Sequence, residues 1–329
     1  MNEEKSSFMD QLFTEPVYSD SPQTEALFLK ALQEELIFHY EHNDMYRQFC
    51  NRKGFDPHAE LNDIKQIPPV AVSVFKNLGY GLASVPQEDI KLRLQSSATS
   101  GTPSTVVVDK ITSKRQAKAM VKVMQEFIGK DRKPFLVMDI DPRSEFRSLL
   151  GARFAAITGY LNFASKSGFF LKAKNGVSYF DIDAIKEYLT TIPSDQPVVV
   201  FGFTYIMYSN VLKAILAKGE KIQLPKGSKI IHIGGWKKLE AEKVEKSLFN
   251  QQLADGFGID PTDVIDIYGF TEQMGLNYPD CPCGCKHTSA YVNVLVRDVV
   301  TREVLPAGNE GMMEFVTPIP HSYPGNVVL

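Results

Sequence analysis

Residues 96–105 read Ser-Ser-Ala-Thr-Ser-Gly-Thr-Pro-Ser-Thr, seven hydroxyl side chains in ten positions. So little apolar surface cannot sit in a core, and the stretch must be a loop. Before it, Ile90, Leu92 and Leu94 alternate with polar residues, which is a strand period. After it, Val106, Val107 and Val108 are β-branched and also read as a strand. Hydroxyls and backbone N–H groups donate hydrogen bonds, Gly101 permits unusual dihedrals, and a donor-rich concavity suits a polyphosphate. The strand, G-x-x-x-x-G-K-[ST], helix arrangement of a Walker loop is absent. On composition alone a flexible Ser/Thr linker fits as well as a phosphate nest.

A second stretch narrows the choice. Asp266-Ile267-Tyr268-Gly269-Phe270-Thr271-Glu272 follows Val264 and Ile265 and reads as a strand end turning at Gly269. Taken in order, the two stretches resemble the paired motifs of the adenylate-forming acyl and aryl ligases, [ST]-[ST]-G-[ST]-[ST]-G-K-P and Y-G-x-T-E. Within that superfamily the chain resembles the LuxE branch of acyl-protein synthetases. Ile67-Pro68-Pro69-Val70-Ala71-Val72-Ser73-Val74-Phe75-Lys76 is similar to its P-x-x-x-F-K segment, and Gly234-Gly235-Trp236-Lys237 to its G-G-[FW]-K element.

The resemblance implies ATP-dependent activation of a fatty acid to an acyl-adenylate and transfer to a thiol, with ATP and Mg²⁺ required and an acyl-protein or acyl-CoA reductase as partner. It also implies roles. Ser97, Thr99, Ser100, Gly101 and Thr102 hold the phosphates. Glu272 is a Mg²⁺ ligand, Thr271 lies near the α-phosphate, and Tyr268 with Gly269 stacks adenine. Gly234 and Gly235 line the adenine or acyl slot, and Phe201, Phe203, Tyr205 and Met207 line the acyl pocket or a plain core. Thr102 stands where the family pattern has Lys, and Ala98 where it has Gly; Lys114 or Arg115 is the available replacement for the lost charge. Trp236 reads equally as a slot residue or a core anchor, and His232, alone on an apolar strand, as structural.

Cys281, Cys283, Cys285 and His287 lie within seven residues. They form either a Cys₃His zinc site, with alternating strand residues on one side, or a reduced turn; C-x-C-x-C is tight for one metal. Four cysteines in total make no disulfide framework, and a reducing cytoplasm is expected. A net charge of −3 gives no electrostatic case for nucleic acid, and no apolar run approaches a membrane span.

Along the chain, residues 1–22 read as a loose arm within an N-terminal helical arm of residues 1–60, and 24–49 as one or two amphipathic helices. Residues 61–329 read as an adenylation domain. Thr112 is the expected cap of a helix to about 127, and 149–163, 205–218 and 239–257 are further helices. Apolar strands are expected at 134–140, 177–180, 197–201 (ending at Gly202) and 229–233, with a β-meander at 291–296 and 311–317. Alternating strands and helices predict an α/β fold with mostly parallel sheet. The family's ribose-binding Asp, mobile C-terminal domain and acyl-accepting Cys are expected beyond Leu329, so the chain reads as C-terminally truncated. Two alternatives to the LuxE reading stand: an aryl- or acyl-CoA ligase of the phenylacetate-ligase type, and a non-catalytic nucleotide- or zinc-binding module.

Overall fold

The computed structural model describes residues 7–96, 102–144, 153–174 and 177–329. The helices are α1 (Phe8–Leu12), α2 (Pro22–His42), α3 (Asp44–Lys53), α4 (Val72–Asn77), α5 (Lys110–Ile128), α6 (Arg153–Tyr160), α7 (Ile182–Thr190), α8 (Thr204–Ile206), α9 (Lys213–Lys218) and α10 (Lys246–Phe257). The strands are β1 (Val70–Ala71), β2 (Leu92–Gln95), β3 (Thr105–Val108), β4 (Lys133–Val137), β5 (Ala164–Phe169), β6 (Leu171–Lys174), β7 (Val177–Phe180), β8 (Val199–Phe203), β9 (Lys229–Ile233), β10 (Val264–Tyr268), β11 (Tyr278–Pro279), β12 (Asn293–Arg297), β13 (Met312–Val316) and β14 (Asn326–Val328). No helix among the described residues is long and apolar enough to cross a membrane.

The chain divides into two compact units. The first is Met1–Met124, Phe270–Asn277 and Thr288–Leu329; the second is Gln125–Gly269 and Tyr278–His287. In the first unit β1, β14, β13 and β12 form one sheet in that order, with β1 parallel to β14 and the others antiparallel. Strands β2 and β3 form a separate hairpin. Ser21 caps α2 ahead of Pro22, and Asn43 caps α3, so one amphipathic run becomes two helices. Residues 8–17 are not a loose arm: Met9, Leu12, Phe13 and Val17 are buried, and the Val17 carbonyl accepts from Ala290 N–H at 2.7 Å. Each such buried side chain contributes roughly 1.5–3 kcal/mol, enough to hold the segment down.

The second unit is built on a six-stranded sheet, ordered β11-β10-β9-β8-β4-β5, in which only β11 is antiparallel. Strand β8 is buried at every residue, which explains its unbroken apolar run. The strand continues through Gly202 rather than ending there. A Cβ at Gly202 would lie 2.6 Å from Met207 Sδ and 3.1 Å from Met138 Cβ, so close packing, not a break, demands the glycine. Helix α8 runs into α9 through a π-helical turn, Met207–Leu212. The expected helix over 239–257 is a 3₁₀ segment, Lys237–Glu242, followed by α10. From β4 the chain moves outward to β5, then returns to β8 on the other side of β4. The direction of the sheet therefore switches between β4 and β8, and open α/β sheets place ligands beyond the carboxyl ends of the strands at such a point.

Candidate active site

In the first unit the hairpin positions the hydroxyl loop. Past the last pair, Gln95 with Thr105, the neck is closed by Ser96 N–H to the Ser104 carbonyl (3.0 Å) and by Ser104 N–H to Ser96 Oγ (2.9 Å). Ser97, Thr99, Ser100 and Gly101 lie outside the described residues; Thr102 follows them and is exposed. Strand β3 then passes into α5 through Asp109, whose carboxylate accepts from the Ile111 and Thr112 N–H groups (3.2 and 2.8 Å). Asp109, not Thr112, caps the helix. The Thr112 hydroxyl instead accepts from the His321 and Ser322 N–H groups (2.9 and 3.0 Å), and Ser322 Oγ donates to the Val107 carbonyl at 2.7 Å. The loop before β14 is thereby fastened to β3 and α5.

The acidic turn belongs to the same unit. Thr271–Gln273 is a short 3₁₀ turn that lies against β3. Tyr323 Oη donates to the Glu272 carbonyl at 3.0 Å, and Gln273 Nε2 donates to the Gly325 carbonyl at 3.3 Å. Gly275, at φ +87°, has its Cβ position 2.7 Å from the Gln116 carbonyl oxygen on α5. Glu272 is only 4% exposed, yet among the described residues no hydrogen-bond donor or cation pairs with its carboxylate. A nearly buried acid without a partner is costly unless something else takes its charge. Arg115 is not free to replace the family lysine: its guanidinium is bound to Glu35 at 2.7 Å. Lys114 is exposed.

In the second unit β9 ends at Gly234 (φ +83°), whose neighbour Gly235 faces open space, with no heavy atom within 4 Å of its Cβ position. Trp236 is a core anchor, packed on Tyr208 and Phe249 with ring centroids at 4.8 and 5.5 Å. Tyr268, at the end of β10, is half-buried with its ring 6.0 Å from that of Tyr278, and Gly269 closes this segment of the unit. Phe201 and Met207 are fully buried, Phe201 stacked on Tyr160 at 4.4 Å, so both belong to the core. Phe203 and Tyr205 lie where β8 ends. His232 Nδ1 shares a hydrogen bond with Thr204 Oγ1 (2.9 Å), and burial holds its ring below the usual histidine range despite Asp266 nearby. It is structural, as the sequence suggests.

Sequence reasoning missed one group. Asp139, just past β4 and fully buried, takes a bidentate bond from Arg153 (2.7 and 3.1 Å), and Arg153 also donates to Tyr205 Oη at 2.7 Å. A lone acid closing the apolar run Phe135-Leu136-Val137-Met138 is the signal that could have found it.

The cysteines do not converge. Cys283 and Cys285 are exposed and Cys281 half-buried, and among the described residues no three His, Cys, Asp or Glu side chains stand where one metal ion could hold them. The segment is a tight turn, closed by Cys281 N–H to the Cys285 carbonyl (2.9 Å) and by Gly284 at φ +74°. Gly284 breaks the strand alternation that would put three thiols on one side.

This fold, with its hydroxyl hairpin beside an acidic turn, is that of the N-terminal region of adenylate-forming ligases. It is similar to a crystal structure of 2-hydroxyisobutyryl-CoA ligase in complex with 2-HIB-AMP and CoA, with a TM-score of 0.67 and 14% identity over 95% of this chain; the chain spans 64% of that ligase. The sequence matches the family described as acyl-protein synthetase, LuxE, over residues 3–329, and the chain belongs to that family. Two proteins named long-chain-fatty-acid–luciferin-component ligase are similar to it. That of Vibrio harveyi is 25% identical over 87% of this chain and 73% of its own length, and that of Aliivibrio fischeri is 24% identical over 91% and 76%.

Proposed function

We propose that this protein activates a long-chain fatty acid with ATP. The acid's carboxylate oxygen attacks the α-phosphorus, the bond to the bridging oxygen breaks, and pyrophosphate leaves with the electron pair. A thiol then displaces AMP from the acyl-adenylate. The family description and the names of the relatives support this chemistry and favour a protein as acceptor. An acyl reductase in the cytoplasm would consume the product.

The observation that carries the reading is the nearly buried carboxylate of Glu272 beside β3, which has no partner among the described residues. Such a donor set fits Mg²⁺, which takes one or two protein carboxylates and completes its shell with phosphate oxygens and water. Bound there, the ion would neutralise charge developing on the phosphates. Residues 97–102 would supply N–H and hydroxyl donors to the outer phosphates, Thr271 a hydroxyl to the α-phosphate, and Tyr268 with Gly269 a face for adenine. Gly234 and Gly235 would let a flat group approach the backbone.

Acid-dependent exchange of labelled pyrophosphate into ATP tests this. Exchange with long-chain acids is expected, with a loss of about a hundredfold or more in Glu272→Ala, the scale of removing one electrostatic stabiliser. Exchange that is absent with every acid, or unchanged in Glu272→Ala, overturns the reading.

A further inference from the structure

The carboxyl ends of β4, β8 and β9 bring together two cations and one anion. Asp139 lies past β4, Arg153 binds it, Tyr205 follows β8, and Lys237 follows β9. Both cations use the Tyr205 ring: Lys237 Nζ lies 5.0 Å and the Arg153 guanidinium carbon 6.0 Å from its centroid. The Asp139 carboxylate is taken up by Arg153 and the Ile140 N–H, and among the described residues no carboxylate forms an ion pair with Lys237. Among the described residues the group therefore sets two cations against one carboxylate. Lys237 is exposed as a residue, yet partial burial of its ammonium and the nearby Arg153 hold it below the usual lysine range against the pull of Asp139.

Two further observations point the same way. Lys237 sits at φ +51°, the left-handed region that a non-glycine residue occupies only at a cost. Strain of that kind persists where the surroundings impose it, and it collects at ligand clamps. The group also lies at the switch in strand order between β4 and β8, where a sheet of this type receives its ligand.

The chemistry of the surroundings selects among anions. The Phe203 ring lies 5.9 Å from Arg153, Tyr205 adds a second aromatic ring, and Gly235 leaves space open. Such walls suit an anion that carries an organic body.

We propose that Lys237, backed by Arg153, anchors the carboxylate of the organic acid and so selects the ionised acid over neutral analogues. The inference deepens the activation reading and rests on it for the identity of the ligand. Lys237 is a substrate-binding residue here, and Asp139 and Tyr205 position Arg153 behind it.

Trp236 precedes Lys237 and is the only tryptophan, so its fluorescence reports occupancy without ATP or turnover. The full chain is titrated with octanoate, dodecanoate and phenylacetate, with octanamide as the neutral analogue, and with inorganic phosphate. Saturable binding of at least one carboxylate is expected, and none of octanamide or phosphate. Lys237→Met should weaken the carboxylate about tenfold or more, the size of one charge-assisted contact, while Lys237→Arg stays within a few-fold. In pyrophosphate exchange, Lys237→Met should raise KM for the acid and leave KM for ATP in place. Equal carboxylate binding by wild type and Lys237→Met, no carboxylate binding at all, or octanamide or phosphate binding as well as carboxylate each overturns the proposal. Glu272→Ala separates the two readings: it should abolish exchange and leave the carboxylate titration intact. Carboxylate binding that depends on Lys237, without exchange in the wild type, sinks the activation reading and leaves this one standing.

Discussion

The hydroxyl of Tyr323 donates to the backbone carbonyl of Glu272 at 3.0 Å, and Tyr323 in turn accepts from Gln116 Nε2 at 3.4 Å. The acidic turn is thus fixed by a loop far from it in sequence and by α5. Tyr323→Phe keeps the ring and removes the donor, leaving a buried carbonyl unpaired. A loss of about 1–3 kcal/mol is expected by chemical denaturation. Because the displaced group is the Glu272 peptide, KM for Mg-ATP should rise more than KM for the acid. A variant destabilised to that extent with both constants unchanged would show that the tyrosine serves the fold alone.

Gly275 tests the same turn from the other side. Its φ of +87° and the 2.7 Å approach of its Cβ position to the Gln116 carbonyl oxygen leave no room for a methyl group, and the neighbour is backbone that cannot swing aside. Gly275→Ala should cost at least about 2 kcal/mol from overpacking and left-handed strain together. Gly54→Ala is the control, since it has similar strain (φ +67°) but nothing within 4 Å. The difference between the two in denaturant midpoint isolates the close approach to α5.

Much of this was legible from residues 90–108 and 264–272, where local pattern is enough: alternation for β2, β-branching for β3, an apolar run ended by Tyr268-Gly269 for β10. What failed to show depends on contacts between distant segments. Residues 270–277 and 288–329 return to the unit that residues 1–124 begin, and β1 pairs with β14, Val70 opposite Val327. No local period encodes such a return. The same holds for Thr112, which reads as a helix cap until Asp109 takes that place and Ser322 claims its hydroxyl. Gly202 looked like a strand end because glycine usually weakens strands; only the packing of Met207 and Met138 shows why it lies inside one.

The four thiols should react in a set order. The backbone N–H groups of Cys285 and then Cys283, and the His287 side chain, favour the thiolate of Cys281 and hold it below the usual cysteine range. Cys50 is buried, which pushes its thiol up to about 11. With limiting iodoacetamide at pH 7, Cys281 should be alkylated at least as fast as the exposed Cys283 and Cys285, and Cys50 only after unfolding, because the thiolate is the reacting form. Peptide mapping over time reads the order. Labelling of Cys50 in the folded protein at a rate near that of Cys283 would contradict the burial of α3.

Acid should weaken the first unit in a defined window. His39 is fully buried beside Glu35 and bonded to Ser84 Oγ at 2.8 Å; burial lowers its ring to about 4, against an ordinary 6.5. The unfolded chain therefore binds the proton more tightly. His39 contributes its full stability above about pH 6.5, and that contribution is lost as the pH falls toward 4, about 2 kcal/mol of it by pH 5. Glu35 acts in a lower window. Burial tends to raise its carboxyl, but the His321 hydrogen bond and Arg115 more than offset this, so its stability is lost only as the pH falls below the ordinary carboxylate range. Denaturation midpoints at pH 7, 5.5 and 5 should fall steadily in the wild type. In His39→Gln the slope across that range should flatten, while the decline below pH 4.5 remains. An equal slope in both proteins would mean that His39 is already charged in the fold, which its burial does not allow.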